Sequence, residues 1–258
     1  MNKYILLATV KDRLPMMQVL MPTLRKYLSE WQVIVVSQEY DIADGAFVQS
    51  NLPKAKILNF AQRLGPHNAK LKGLDLILDI EKDNEFVVCS IDDDMEFVEQ
   101  TNFEQCLHKV LQNGTGLVSA NWANHRNSLK NKKIKDEFVS QPIVYTGGGL
   151  LFSSKIAKII AAIPEGDYFC DNSEWSLAVY LAGYTNYRYK GSLTIHRICS
   201  KGGRRAWVLL SDKKIPNEQF LKIKKGNLTN RINNFLVGDS SDLTLAAKEM
   251  HKQNKKQL

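Results

Sequence analysis

Four short apolar runs rich in β-forming residues open the chain: KYILLATV (3–10), WQVIVVSQ (31–38), AKILNF (55–60) and EFVVCSI (85–91). Segments of a different rhythm lie between them. LPMMQVLMPTLRKYLSE separates the first two, and GPHNAKLKGLDLILDIEK separates the last two. In the latter, Leu71, Leu74, Ile77 and Leu78 recur on one helical face with polar residues elsewhere, which predicts an amphipathic helix. Strands alternating with helices predict right-handed βαβ units and a parallel sheet. Ligands of such sheets bind beyond the carboxyl ends of the strands.

The rhythm changes after residue 100. A helix is predicted at about 102–113 and a strand at 116–120, followed by the polar stretch NHRNSLKNKKIKDEF, which reads as a loop. It carries five basic residues, Arg126, Lys130, Lys132, Lys133 and Lys135, before its first acid. PIVYTGGGLLFS reads as a strand broken by three glycines, and SKIAKIIAAI as an amphipathic helix. DNSEWSLAVYLAG reads as a helix ending at a capping glycine, Gly183. The strand SLTIH then finishes on His196. A composition shift at SKGGRRAW marks a boundary near residue 200, so the expected organisation is a main α/β domain over 1–200 and an extension over 201–258.

The 258 residues, 44% of them hydrophobic, suffice for one large domain with a substantial core. No apolar run approaches the ~18 residues that would span a membrane. The opening MNKYILLATVKDR reads as a first strand rather than a secretory signal. Four scattered cysteines, Cys89, Cys106, Cys170 and Cys199, lack metal-binding spacing and read as reduced packing thiols, which predicts a cytoplasmic protein. Charge is divided unevenly. Residues 1–200 hold 22 Lys+Arg against 22 Asp+Glu, whereas 201–258 hold 13 against 5, so the whole net charge of +8 lies in the extension. A neutral body with a basic tail points to an anionic partner such as nucleic acid, a membrane surface or phosphates. The plain alternative is a solubilising lysine-rich tail.

The fourth apolar run ends abruptly in Asp92, Asp93 and Asp94. Adjacent carboxylates repel one another and are costly to bury, so positive partners are expected beside them. Aspartates at a strand end suit a hard divalent cation, Mg2+ or Mn2+, which shares its oxygen ligands with a substrate's phosphates.

With these residues in place, the chain resembles the GT-A glycosyltransferases, particularly those of family 2 type, over about residues 3–200. ATVKDR after the first strand is similar to that family's nucleotide-contacting opening, with Thr9 and Asp12 as contacts. QRLGPHNAKLKGLDLIL resembles its Gly- and Asn-containing helix, with Arg63, Gly65 and Asn68 as candidates. IDDDME resembles its DxD motif, which implies nucleotide and metal roles for Asp92 and Asp94, with Asp93 among the nucleotide-sugar contacts. YTGGGLLFS resembles its glycine-rich acceptor-side strand, which implies nucleotide-sugar contacts at Gly148 and Gly149. CDNSEWSLAVYLAGY resembles its acidic helix before Gly-Tyr, and LTIH its strand ending in a metal-binding histidine, His196. The family's helix begins Glu-Asp-x-Asp, whereas here Asp171, Asn172, Ser173 and Glu174 stand, so Asp171 and Glu174 both remain candidate catalytic bases.

The resemblance implies a GT-A fold, a nucleotide-sugar donor (a UDP-sugar by analogy) and transfer to an acceptor hydroxyl. Breaking a sugar–phosphate bond leaves charge on a diphosphate, which a cation stabilises, and a carboxylate can take the acceptor's proton. Gly202, Gly203, Arg204 and Arg205 are placed to close over the diphosphate, since guanidinium binds phosphate bidentately. Structural readings stand beside each of these. Asp171 and Glu174 also read as a helix cap and its capping-box partner, the three glycines as close packing, and Trp175 and Trp207 as core residues. The basic tail and lysine-rich loop favour DNA, with a hydroxymethylated base as acceptor, as in phage enzymes that glycosylate their own DNA. Two alternatives are a surface polysaccharide or glycolipid transferase and a non-catalytic binding module.

Overall fold

In a computed structural model, residues 1–123, 134–141, 143–144, 146–163, 165 and 171–196 are described. The parallel half comes first: β1 (Asn2–Val10), β2 (Gln32–Gln38), β3 (Lys56–Phe60) and β4 (Phe86–Asp92) lie side by side in the order β3-β2-β1-β4, every pairing parallel. Strands β1, β2 and β4 alternate between two buried faces, whereas β3, at the sheet edge, is only partly buried. Ile5, Leu7, Val33, Val35, Val87 and Cys89 pack on one side with α1 (Leu14–Tyr27), α2 (Ile42–Asn51) and α4 (Glu104–Val110). Tyr4, Leu6, Ile34, Val36, Phe86 and Val88 pack on the other with α3 (Gly65–Glu81). Burial on both faces explains why these strands read as continuous apolar runs. Helix α3 sits close to the sheet because Gly73 has no side chain; a Cβ there would come 2.4 Å from Leu6 Cδ1.

The second half is mixed. The short strand β5 (Met95–Glu96) follows β4 after only Asp93 and Asp94, and β6 (Thr115–Ala123), β7 (Phe138–Ser140), β8 (Leu150–Ser153) and β9 (Thr185–His196) complete a sheet ordered β3-β2-β1-β4-β8-β6-β9-β5, with β7 on β9. Strand β8 is antiparallel to both β4 and β6, whereas β6 and β9 are parallel. Helices α5 (Ser154–Ala161) and α6 (Asp171–Leu181) cover the α3 face, with Ile156, Ile160, Trp175 and Val179 in its core. Gly183, at φ +88°, ends α6 as predicted, with Tyr184 N–H donating to Val179 C=O and Gly183 N–H to Tyr180 C=O.

Three elements depart from the sequence reading. Helix α2, capped reciprocally by Asp41 and Asp44, lies where no helix was predicted. Strand β7 begins at Phe138, the last residue of the stretch read as a loop, and continues to Ser140, where no strand was predicted. Strand β9 begins at Thr185 rather than Ser192, and a register shift between Ala120 and Asn121 of β6 accommodates its Lys190–Ser192 segment. The extension 201–258 lies outside the described residues.

Candidate metal and donor site

The turn between β4 and β5 places the three aspartates at the carboxyl edge of the parallel half. Because β5 then pairs antiparallel with the end of β9, Met95 faces His196 across the ladder, and the histidine is carried to the same edge. Asp92 Oδ2, Asp94 Oδ1 and His196 Nε2 converge: the imidazole nitrogen is 2.9 Å from Asp94 and 3.7 Å from Asp92. One ligand atom from each residue lies within 4.8 Å of the others. An octahedral ion with bonds of about 2.1 Å has cis donors roughly 3 Å apart and trans donors roughly 4.2 Å apart. Two carboxylates and an imidazole at this spacing therefore fit a single divalent ion, leaving coordination positions for oxygens from a substrate.

The middle aspartate behaves differently. Asp93 is buried, and its Oδ1 accepts from Arg13 Nε at 3.0 Å and Nη2 at 2.7 Å, while Oδ2 accepts from Thr9 Oγ1 at 2.9 Å. Arg13 Nη2 also lies 2.8 Å from Asp94 Oδ2. One buried guanidinium, held by the 3-10 turn Lys11–Arg13 after β1, thus bridges two adjacent carboxylates. Burial pushes Asp93 up to about 6, against the pull of Arg13, and Asp94 adds to the rise by repulsion. Burial works the same way on Asp94, yet its bond to His196 and the charge of Arg13 hold it below the usual carboxylate range.

Asp92 has its own cation. Lys70 Nζ, on α3, donates to Asp92 Oδ1 at 3.0 Å, and this lysine is only 1% exposed. Its ammonium also lies 5.9 Å from the ring of Trp175 on α6. Trp175 Nε1 in turn donates to His67 Nδ1 at 3.1 Å, so α3, α6 and Asp92 form one packed unit. The positive partners expected beside the aspartates are thus Arg13 and Lys70.

Thr9 binds Asp93. Asp12 and Glu39 flank Arg63, which donates to both at the edge formed by β1, β2 and α3. Glu39 holds a left-handed backbone, φ 62°, to reach it. Asn68 Nδ2 donates to the C=O of Leu64, the residue that precedes α3. Gln38 joins these elements: its Nε2 donates to Thr9 C=O and its Oε1 accepts from the N–H groups of Leu64 and Gly65. The glycines pack. A Cβ on Gly148 would stand 1.8 Å from Ala120 O, one on Gly147 would stand 2.8 Å from His196 Nδ1, and Gly149 adopts φ +81°. Glu174 is buried near the start of α6, beside the core residue Trp175. Asp171 is the first residue of that helix, and nothing of its side chain is described. Lys135 is exposed, its N–H on Lys190 C=O. Arg126, Lys130, Lys132, Lys133, Gly202, Gly203, Arg204, Arg205 and Trp207 lie outside the described residues, as do Cys170 and Cys199.

Sequence reasoning missed Arg13, Lys70, His67 and Gln38. For two of them a signal existed. His67, Lys70, Leu74 and Ile77 fall three, four and three residues apart, on the one face of α3 that is buried. A histidine and a lysine on that face needed a polar partner.

No protein-family model matches the chain, and no curated protein sequence matches it either. Solved structures do. The mannosyltransferase PcManGT from Pyrobaculum calidifontis, determined with GDP-Man and Mn2+, superposes with a TM-score of 0.60 at 13% identity, covering 98% of this chain and 80% of that one. GalNAc-T7, determined with UDP, GalNAc and Mn2+, gives 0.58 at 11% identity over 76% of this chain. S. aureus TarS 1–349 gives 0.54 at 14% over 75%. The chain spans 43% of the length of the GalNAc-T7 structure and 59% of that of TarS. The fold is that of the GT-A glycosyltransferases.

Proposed function

We propose that this chain is a divalent-metal-dependent glycosyltransferase that moves a sugar from a nucleotide diphosphate to an acceptor hydroxyl. The observation that carries the reading is the convergence of Asp92, Asp94 and His196 at the carboxyl edge of the parallel half of a GT-A sheet. Edge position and donor set both match what a metal-bridged diphosphate requires. Two structural neighbours were determined with Mn2+ and a nucleotide or nucleotide-sugar. The imidazole ligand favours Mn2+ over Mg2+, because nitrogen donors suit the softer ion.

A metal bound here supplies Lewis-acid stabilisation of the departing diphosphate. The chain's own residues do the rest. Asp94 and His196 orient the ligand set, and Asp92 completes it while Lys70 offsets part of its charge. Arg63, spanning Asp12 and Glu39, shapes the edge where β1 and β2 end and a nucleoside would lie. Asp171 or Glu174, on the helix packed against α3 through Trp175, takes the acceptor's proton. Arg204 and Arg205 supply guanidinium groups of the kind that bind a diphosphate bidentately.

For the acceptor, the charge distribution supports a polyanion: 13 basic against 5 acidic residues over 201–258, and the lysine-rich stretch at 126–135. The acceptor we propose is a hydroxymethylated base in DNA. The test is nucleotide release from UDP- and GDP-sugars with Mn2+, alone and with plain DNA, hydroxymethylated DNA or a glycan panel. Release stimulated by hydroxymethylated DNA alone supports the full reading. Stimulation by a glycan instead keeps the transferase and replaces the acceptor. No release with any donor overturns the transferase reading.

A further inference from the structure

We propose that Arg13 is the positioning residue of this metal site, and that Asp93 serves as the anchor of that guanidinium rather than as a ligand. The inference rests on the metal reading above. Its evidence is the sharing of one buried side chain. Arg13 places two N–H groups on Asp93 Oδ1, at 2.7 and 3.0 Å, and its Nη2 reaches Asp94 Oδ2 at 2.8 Å. With Oδ2 held there, Asp94 turns Oδ1 toward His196, 2.9 Å away, which is the oxygen that faces the ligand cluster.

The alternative role for Arg13 is charge balance. Three adjacent carboxylates need cations, and Arg13 and Lys70 supply two. The two roles predict opposite consequences for metal affinity. If Arg13 acts only as a counter-charge, removing it raises affinity for a cation. If it sets the rotamer of Asp94, removing it lowers affinity. Geometry favours positioning. The planar guanidinium is held on Asp93 through Nε and Nη2, its side chain springs from the short turn after β1, and Asp93 is itself pinned by Thr9. Groups that orient a metal's ligands typically contribute about 10–100-fold to affinity.

The experiment measures Mn2+ affinity without nucleotide, from the electron paramagnetic resonance signal of free Mn2+, alongside thermal unfolding. The variants are Arg13→Lys, the double variant Arg13→Met with Asp93→Leu, and Asp94→Asn as the ligand control. The double variant removes one positive and one negative charge, so it leaves the net charge at the site unchanged and strands no charge at Asp93, while Asp94 keeps its contact with His196. Positioning predicts that it binds Mn2+ about 10-fold or more weaker than wild type while unfolding cooperatively, with Arg13→Lys between the two. Affinity within about 2-fold of wild type, or tighter, overturns the proposal and leaves the metal site standing. A wild-type protein that binds no Mn2+, or an Asp94→Asn variant that binds it normally, overturns the metal reading and this proposal with it.

Discussion

Lys70 Nζ donates to Asp92 Oδ1 at 3.0 Å from a position that is 1% exposed, so the first aspartate of the trio is tied to a lysine buried in the helix packed behind it. A buried ammonium persists only where its bonds and local charge offset its desolvation. Here Asp92 and the ring of Trp175 do so, and the same contacts fix how α3 meets the turn that carries the aspartates.

Lys70→Ala is therefore expected to destabilise the fold by about 2–4 kcal/mol, through the broken buried pair and the cavity left beneath Trp175. Urea unfolding followed by tryptophan fluorescence measures this. A change below about 0.5 kcal/mol, the range of ordinary surface substitutions, contradicts the account.

Mn2+ is expected to raise the unfolding temperature of the wild-type chain and not that of His196→Ala. A ligand that binds only the folded state adds about 2.7 kcal/mol when present at 100 times its dissociation constant. Differential scanning calorimetry over a Mn2+ series checks it. Equal stabilisation of both proteins places the ion elsewhere.

Gly148→Ala is expected to disrupt folding rather than donor binding. The added Cβ would stand 1.8 Å from Ala120 O, and backbone cannot yield as a side-chain end can. Overpacking of this kind costs of order 3 kcal/mol or more. A well-folded variant with only its nucleotide affinity reduced would favour the donor-contact reading of this glycine.

The Cys106 thiol is pushed up to about 12 by burial, from an ordinary 9.0. The folded state therefore holds the proton more tightly than the unfolded state. The resulting stability is complete below about pH 9 and is lost as pH rises toward 12. Native protein at pH 8 should resist iodoacetamide at Cys106, and alkylation of the Cys106 peptide, read by mass spectrometry, should track unfolding. Fast labelling of the folded protein contradicts this.

The parts of the fold visible in the sequence are those where burial is unambiguous. Strands β1, β2 and β4, covered on both faces, read directly as apolar runs. Helix α3 read from its spacing. Helix α2 did not, because Val48 is its one buried residue and Ile42 is 93% exposed. The first half of β9 alternates tyrosines with polar residues and lies on partly open surface, so no apolar run announced it. The site divides the same way. Strand-end aspartates and a strand-end histidine stand out in a sequence, and the fold brings Asp92, Asp94 and His196 together. Arg13 does not stand out, since KDR reads as a polar turn, and only the fold, which buries Asp93 and Asp94 against that turn, reveals why a buried guanidinium belongs there. The triple glycine had two readings, and the approach of Gly148 to Ala120 accounts for the packing one.

The most direct test of the central claim is a crystal of the chain soaked with Mn2+ and UDP or GDP, with anomalous difference density collected at the manganese edge. The account predicts one strong peak within bonding distance of Asp94 and His196, adjacent to Asp92 and touching the diphosphate, and absent from Asp94→Asn crystals. Nucleotide bound without a peak between these three residues, or a peak unchanged in Asp94→Asn, would contradict it.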